Sequence, residues 1–127
     1  MSIKLNHTIV HTYDKAASAA FLTEILGLID PVPFGHFLTL QLDNEITLDL
    51  IETRHEFNPQ HYAFLVSEKE FDEILGRIRE RGLTFWADPF HRRINEINTR
   101  DGGRGAYFED PNGHNLEILT RSYGSSS

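Results

Sequence analysis

Asn6-His7-Thr8-Ile9-Val10 and Gln60-His61-Tyr62-Ala63-Phe64 are two versions of one phrase: an amide, a histidine, then residues that alternate as a strand does. A helix signal follows each. From Asp14 the chain carries Ala16, Ala17, Ala20, Phe21, Ile25 and Leu26 to a stop at Gly27, which predicts the first helix. From Ser67, with Glu70 three residues on as the other half of a capping box, it carries Phe71, Ile74, Leu75 and Ile78 on one face and ends at Gly82. Short strands come next. They are expected at residues 34–42 and 46–51, about the turn Asp43-Asn44, and at residues 83–86, 105–109 and 115–120, with Asp110-Pro111-Asn112-Gly113 as a hairpin turn. The closing strands correspond as well, since Thr47-Leu48-Asp49-Leu50-Ile51 lines up with Asn115-Leu116-Glu117-Ile118-Leu119. The expected fold is therefore α+β. It has two βαβββ units, at about residues 3–53 and 58–122, within a single domain spanning residues 1–127. Residues 88–104 form an insertion that reads as a loop, and residues 123–127 have the composition of a flexible tail.

Side chains alternate across a strand, so the strand residues can be sorted by face. One face collects Val10, Leu38, Leu40, Leu48, Leu50, Phe64, Leu116 and Ile118 and must pack against the helices. The opposite face collects His7, Ile9, His11, Thr39, Gln41, Asp49, His61, Tyr107 and Glu117. A plain solvated face would show lysine, glutamate and arginine among threonine and serine. Here the polar residues near the strand centres are histidines and carboxylates, which are ligand types. Two histidines with one or two carboxylates, converging from separate strands, suit divalent iron, manganese, nickel, cobalt or zinc with coordination positions left open.

Composition narrows the partners. The 127 residues carry a formal charge of -7, which disfavours nucleic acid and anionic membrane, because a polyanion binder needs a basic face. No apolar run approaches the roughly 18 to 20 residues that span a bilayer, and the first ten residues lack the pattern of a signal peptide, so a cytoplasmic protein is expected. With no cysteine, any metal must take nitrogen and oxygen ligands, and the 7 histidines supply the nitrogen. His36, His55 and His91 read as exposed loop residues, His114 as a cap on the hairpin, and Trp86 as core or pocket wall.

Leu5-Asn6-His7, His61-Tyr62-Ala63-Phe64 and the run from Tyr107 through Phe108-Glu109-Asp110-Pro111-Asn112-Gly113-His114-Asn115-Leu116 to Glu117 together resemble the vicinal oxygen chelate superfamily, over nearly the whole chain. That group includes glyoxalase I, fosfomycin-resistance thiol transferases, methylmalonyl-CoA epimerase, extradiol dioxygenases and the metal-free bleomycin-resistance proteins. The resemblance implies a cup-shaped mixed sheet with the helices on its outer face. It implies His7, His61 and Glu117 as metal ligands, and Asp49 as a fourth where glyoxalase I-like members carry the longer Glu. It also implies a homodimer, in which His7 and Asp49 come from one chain and His61 and Glu117 from the other. Fosfomycin-resistance members share a tyrosine at the position of Tyr107, which binds substrate in that group, but carry threonine where Ile9 stands here.

A small substrate with two neighbouring oxygens would chelate such a metal, which acts as a Lewis acid. Asp49 is the first candidate for the proton-moving base and His11, on the same face, the second. Tyr107, Thr39 and Gln41 are expected to contact substrate, as is Arg104, one of the loop cations with Arg92, Arg93 and Arg100. The reactions open to this arrangement are those of a lyase, isomerase, thiol transferase or dioxygenase. The alternative is a metal-free protein that sequesters a small molecule.

Overall fold

The computed structural model describes residues 2–124 and divides the chain into two compact units, Met1–Asn58 and Pro59–Ser127. The first runs β1 (His7–Thr12), α1 (Lys15–Leu26), β2 (Val32–Phe34), β3 (Phe37–Gln41) and β4 (Thr47–Glu52). The second repeats that order with β5 (His61–Leu65), α2 (Glu68–Glu80), β6 (Phe85–Trp86), β7 (Gly105–Glu109) and β8 (Asn115–Leu119). Each unit has its own four-stranded mixed sheet, ordered β1-β4-β3-β2 in one and β5-β8-β7-β6 in the other. In each, the first strand lies parallel to the last, as the intervening crossover helix allows, and the other pairings are antiparallel. This is the α+β plan expected from the repeat.

The repeat extends to register. His7 lies opposite Thr47 and Ile9 opposite Asp49; in the second unit His61 lies opposite Asn115 and Ala63 opposite Glu117. The histidine of each first strand thus stands two residues before the partner of each last-strand carboxylate.

Local chemistry explains the helix ends. Asp14 caps α1 by accepting from the Ala17 N–H at 3.1 Å, and Gly27, at φ 73°, supplies the left-handed residue that closes it. Ser67 and Glu70 form the anticipated reciprocal box at the start of α2, at 3.0 and 2.8 Å. Most of the expected inner face is buried: Val10, Leu40, Leu48 and Leu50 in the first unit, Leu116 and Ile118 in the second, as are Phe71, Ile74, Leu75 and Ile78 of α2, whereas Leu38 and Phe64 are half-buried. Burying each such side chain stabilises the fold by about 1.5–3 kcal/mol.

Some expectations need correction. The buried residues of α1 are Ser18, Ala19, Leu22 and Ile25, whereas Ala16, Ala17 and Ala20 are exposed. The helix is rotated from the expected face, because an alanine-rich sequence has no sharp apolar stripe to set its roll. Residues 34–42 are not one strand. Gly35, at φ 58°, turns the chain between β2 and β3. Residues 88–104 form a loop held by many local contacts. The Asp88 carboxylate accepts the backbone N–H groups of Arg92 and Arg93, at 2.9 and 2.7 Å; burial opposes its charge, but these bonds hold its pKa below the usual range. Asn98 donates to the Ala87 carbonyl and pairs with Gly105 through two backbone bonds. His91, expected to be exposed, is half-buried and lies flat on Trp86, with ring centroids 3.7 Å apart. Of the expected tail, residues 125–127 lie outside the described residues. No helix among the described residues is long and apolar enough to cross a membrane.

Candidate metal centre

Parallel pairing of β5 with β8 brings His61 to Glu117, with Nε2 and Oε1 3.0 Å apart. The Glu117 side chain is 1% exposed and that of His61 47%. His61 Nδ1 is 2.9 Å from the Asn115 carbonyl oxygen. A carbonyl can only accept, so Nδ1 carries the hydrogen and a neutral ring leaves a bare lone pair on Nε2. That lone pair faces a carboxylate oxygen. Two acceptors at this distance are reconciled by a hydrogen shared between them, on the ring or on the carboxyl, or by a bound cation. Ligand atoms about 2.1 Å from one ion and at right angles to each other stand about 3 Å apart. The pair therefore fits a metal, and its second nitrogen is anchored to the backbone as metal-binding histidines commonly are.

The first unit offers the equivalent types. His7, exposed at the start of β1, bonds through Nδ1 to Asn6 Oδ1 at 2.7 Å. Asp49 on β4 is 9% exposed, and its Oδ1 accepts from the Thr47 hydroxyl at 2.9 Å. Among the described residues, no three His, Asp or Glu side chains gather into one metal-sized group. The candidate ligands thus stand as two pairs, one on each unit.

Around Glu117 the structure adds a chain of donors. Tyr107, on β7 opposite Glu117, is 2% exposed, and its ring stacks on that of His61 with centroids 5.9 Å apart. Its hydroxyl accepts from Arg100 Nη1 at 3.2 Å and lies 3.0 Å from the Tyr123 hydroxyl. Tyr123 in turn donates to Glu117 Oε2. Burial, together with hydrogen bonds to Glu117 and Tyr107, pushes the Tyr123 pKa well above the ordinary phenol range. Sequence reasoning assigned Tyr123 to the flexible tail. No periodic signal marks it, because it lies past the end of β8 at Leu119, where strand alternation no longer sorts side chains.

The other expected site residues have local partners. Thr39 donates to the Val32 carbonyl at 2.8 Å and Gln41 to that of Leu42 at 3.0 Å, although both lie on the site's face of β3. His11 Nδ1 is 2.7 Å from the Thr53 hydroxyl, and its ring packs near Phe57. Arg104 was expected to meet substrate. Instead it binds Glu68 at 2.8 Å and Asp72 at 2.7 Å and lies over the Phe71 ring, so it fastens β7 to α2. His114 is fully buried. It accepts the Gln60 N–H through Nδ1 at 2.9 Å, while the hairpin itself is capped by Asp110, which accepts from the backbone N–H groups of Asn112 and His114.

Known proteins resemble this chain in sequence and in fold. A family model described as Glyoxalase/Bleomycin resistance protein/Dioxygenase superfamily matches residues 4–118. The solved structure of oxidase ChaP-H2 is 62% identical, with a TM-score of 0.96, and each chain covers 100% of the other. Oxidase ChaP-H1 is 63% identical with a TM-score of 0.95, over 97% of this chain and 99% of that one. Glutathione transferase FosA of Serratia marcescens is 32% identical over 121 residues, which span 90% of this chain and 78% of that protein. The chain belongs to the glyoxalase, bleomycin-resistance and dioxygenase superfamily, whose members share the vicinal oxygen chelate fold.

Proposed function

We propose that this protein is a divalent-metal-dependent oxidase or dioxygenase acting on a small molecule that carries two neighbouring oxygens. His7, His61 and Glu117 are the ligands in this reading, with Asp49 beside them. The observation that carries it is the 3.0 Å contact of His61 Nε2 with Glu117 Oε1, on a histidine whose other nitrogen is anchored. Two histidines and one carboxylate form the donor set of non-haem iron(II) oxygenases, which puts iron first among iron, manganese, nickel, cobalt and zinc. Oxidation is preferred to thiol transfer because the full-length likeness is to proteins named oxidases, and because Ile9 replaces the threonine that fosfomycin-resistance members carry.

The bound ion supplies Lewis-acid polarisation of both substrate oxygens and, if iron, redox chemistry with dioxygen. The rest falls to side chains. Glu117, nearly buried, brings the negative charge that offsets the ion. Asp49 takes the substrate proton, and Tyr107, whose hydroxyl is held by Arg100 and Tyr123, meets the substrate through the ring that stacks on His61. A homodimer would complete the site, with the first unit of one copy supplying His7 and Asp49 to the His61 and Glu117 of the other. Two features favour association. β1 and β5 are each the outermost strand of a sheet, and they expose Ile9 and Leu65, at 45% and 63%.

Metal analysis of protein purified without chelators tests the reading. About one equivalent of metal per chain is expected, with a thermal shift when metal is restored. Less than about 0.1 equivalent, with no shift on adding iron, manganese, nickel, cobalt or zinc, would overturn it in favour of simple sequestration.

A further inference from the structure

We infer that Tyr123 is a positioning residue of this centre: its hydroxyl holds one oxygen of Glu117, so that the carboxylate turns a single oxygen toward His61. The inference rests on the metal reading above and extends it to a residue outside the ligand set. The donor chain has only one possible direction. Arg100 can only donate and a carboxylate can only accept, so Arg100 gives its hydrogen to Tyr107, Tyr107 gives its own to Tyr123, and Tyr123 gives its own to Glu117 Oε2. Every hydroxyl in the chain is thus oriented, and Oε2 is occupied while Oε1 faces His61 Nε2.

Packing alone does not explain Tyr123. It is 58% exposed, so its ring contributes little to the core, and the engaged group is the hydroxyl. The consequence for a bound ion is specific. A carboxylate with both oxygens free can chelate through both and take two coordination positions. One whose second oxygen is held by a donor binds through one, leaving a position for substrate.

The test compares wild type, Tyr123→Phe and His61→Ala as full-length proteins, with manganese(II) as the probe. Affinity is read by competition with a chelator, and the number of bound waters by water-proton relaxation per bound ion. Tyr123→Phe removes one hydroxyl from an exposed ring but leaves a buried carboxylate oxygen without its donor, so the fold should be kept while the melting temperature in chelator falls by at most a few degrees. The expected result is a 10–100-fold loss of affinity, with fewer exchangeable waters per bound ion as Glu117 becomes bidentate. If His61→Ala abolishes binding while Tyr123→Phe keeps affinity within about twofold and relaxation unchanged, the role of Tyr123 is refuted and the metal centre stands. If His61→Ala binds manganese as wild type does, the centre itself is wrong and this inference falls with it.

Discussion

Glu117 is a nearly buried carboxylate whose two oxygens meet different partners, Nε2 of His61 and the hydroxyl of Tyr123. Glu117→Gln separates its charge from its shape. A glutamine amide offers a nitrogen to His61 Nε2 and an oxygen to the Tyr123 hydroxyl, so every hydrogen bond is satisfied without a buried charge. Metal-free Glu117→Gln should therefore melt at or above the wild-type temperature in chelator while losing metal affinity about 100-fold. Calorimetry with and without chelator checks both halves; a large drop in metal-free stability would show that an imidazolium pairs with the carboxylate. The strand and repeat positions of His7, His61, Asp49 and Glu117 were legible in the sequence because the alternation of each strand and the internal repeat agreed on them. Tyr123 and Arg104 were not. Tyr123 follows the last strand, where periodicity stops, and the partners of Arg104 are Glu68 and Asp72, distant in sequence, which a run of loop cations does not reveal.

Among the elements, α2 shows how a misjudged residue acquires a testable role. The Arg104 guanidinium, hydrogen-bonded to Glu68 and Asp72, holds both carboxyls below the usual carboxylate range. A pKa lowered by folding means that the unfolded chain binds the proton more readily, so this contribution is complete above about pH 4 and is lost as pH falls through the lowered folded values. Arg104→Met should lower the melting temperature by a few degrees near pH 7, and the gap to wild type should close toward about pH 3. A gap that persists in acid would assign the effect to packing on Phe71 instead. Both helices were legible at their ends, where Asp14, Gly27, Ser67 and Glu70 act within one turn. The roll of α1 was not, because Ala16, Ala17 and Ala20 fit either a buried or an exposed face, and only the sheet's preference for Leu22 and Ile25 decides.

For the whole molecule, the proposed sharing of ligands between two copies predicts complementation. His7→Ala and His61→Ala should each be inactive alone. If each site combines His7 of one copy with His61 of the other, a mixed dimer holds one intact site and one doubly damaged site. Subunit exchange in an equimolar mixture should then restore about a quarter of wild-type activity and metal content. Sites built within one chain would restore none. The two outer edges of each sheet also differ in kind. β2 is 3 residues long and contains Pro33, which has no N–H to offer, and β6 is only 2 residues long; both are poor templates for a further strand. β1 and β5, of 6 and 5 residues, contain no proline, and they are the strands that begin with His7 and His61. If the proposed homodimer covers the edges of these strands, the separated chain is the species most prone to aggregate. Dilution, which protects most proteins from aggregation, would then endanger this one by separating the proposed dimer and uncovering its strand edges.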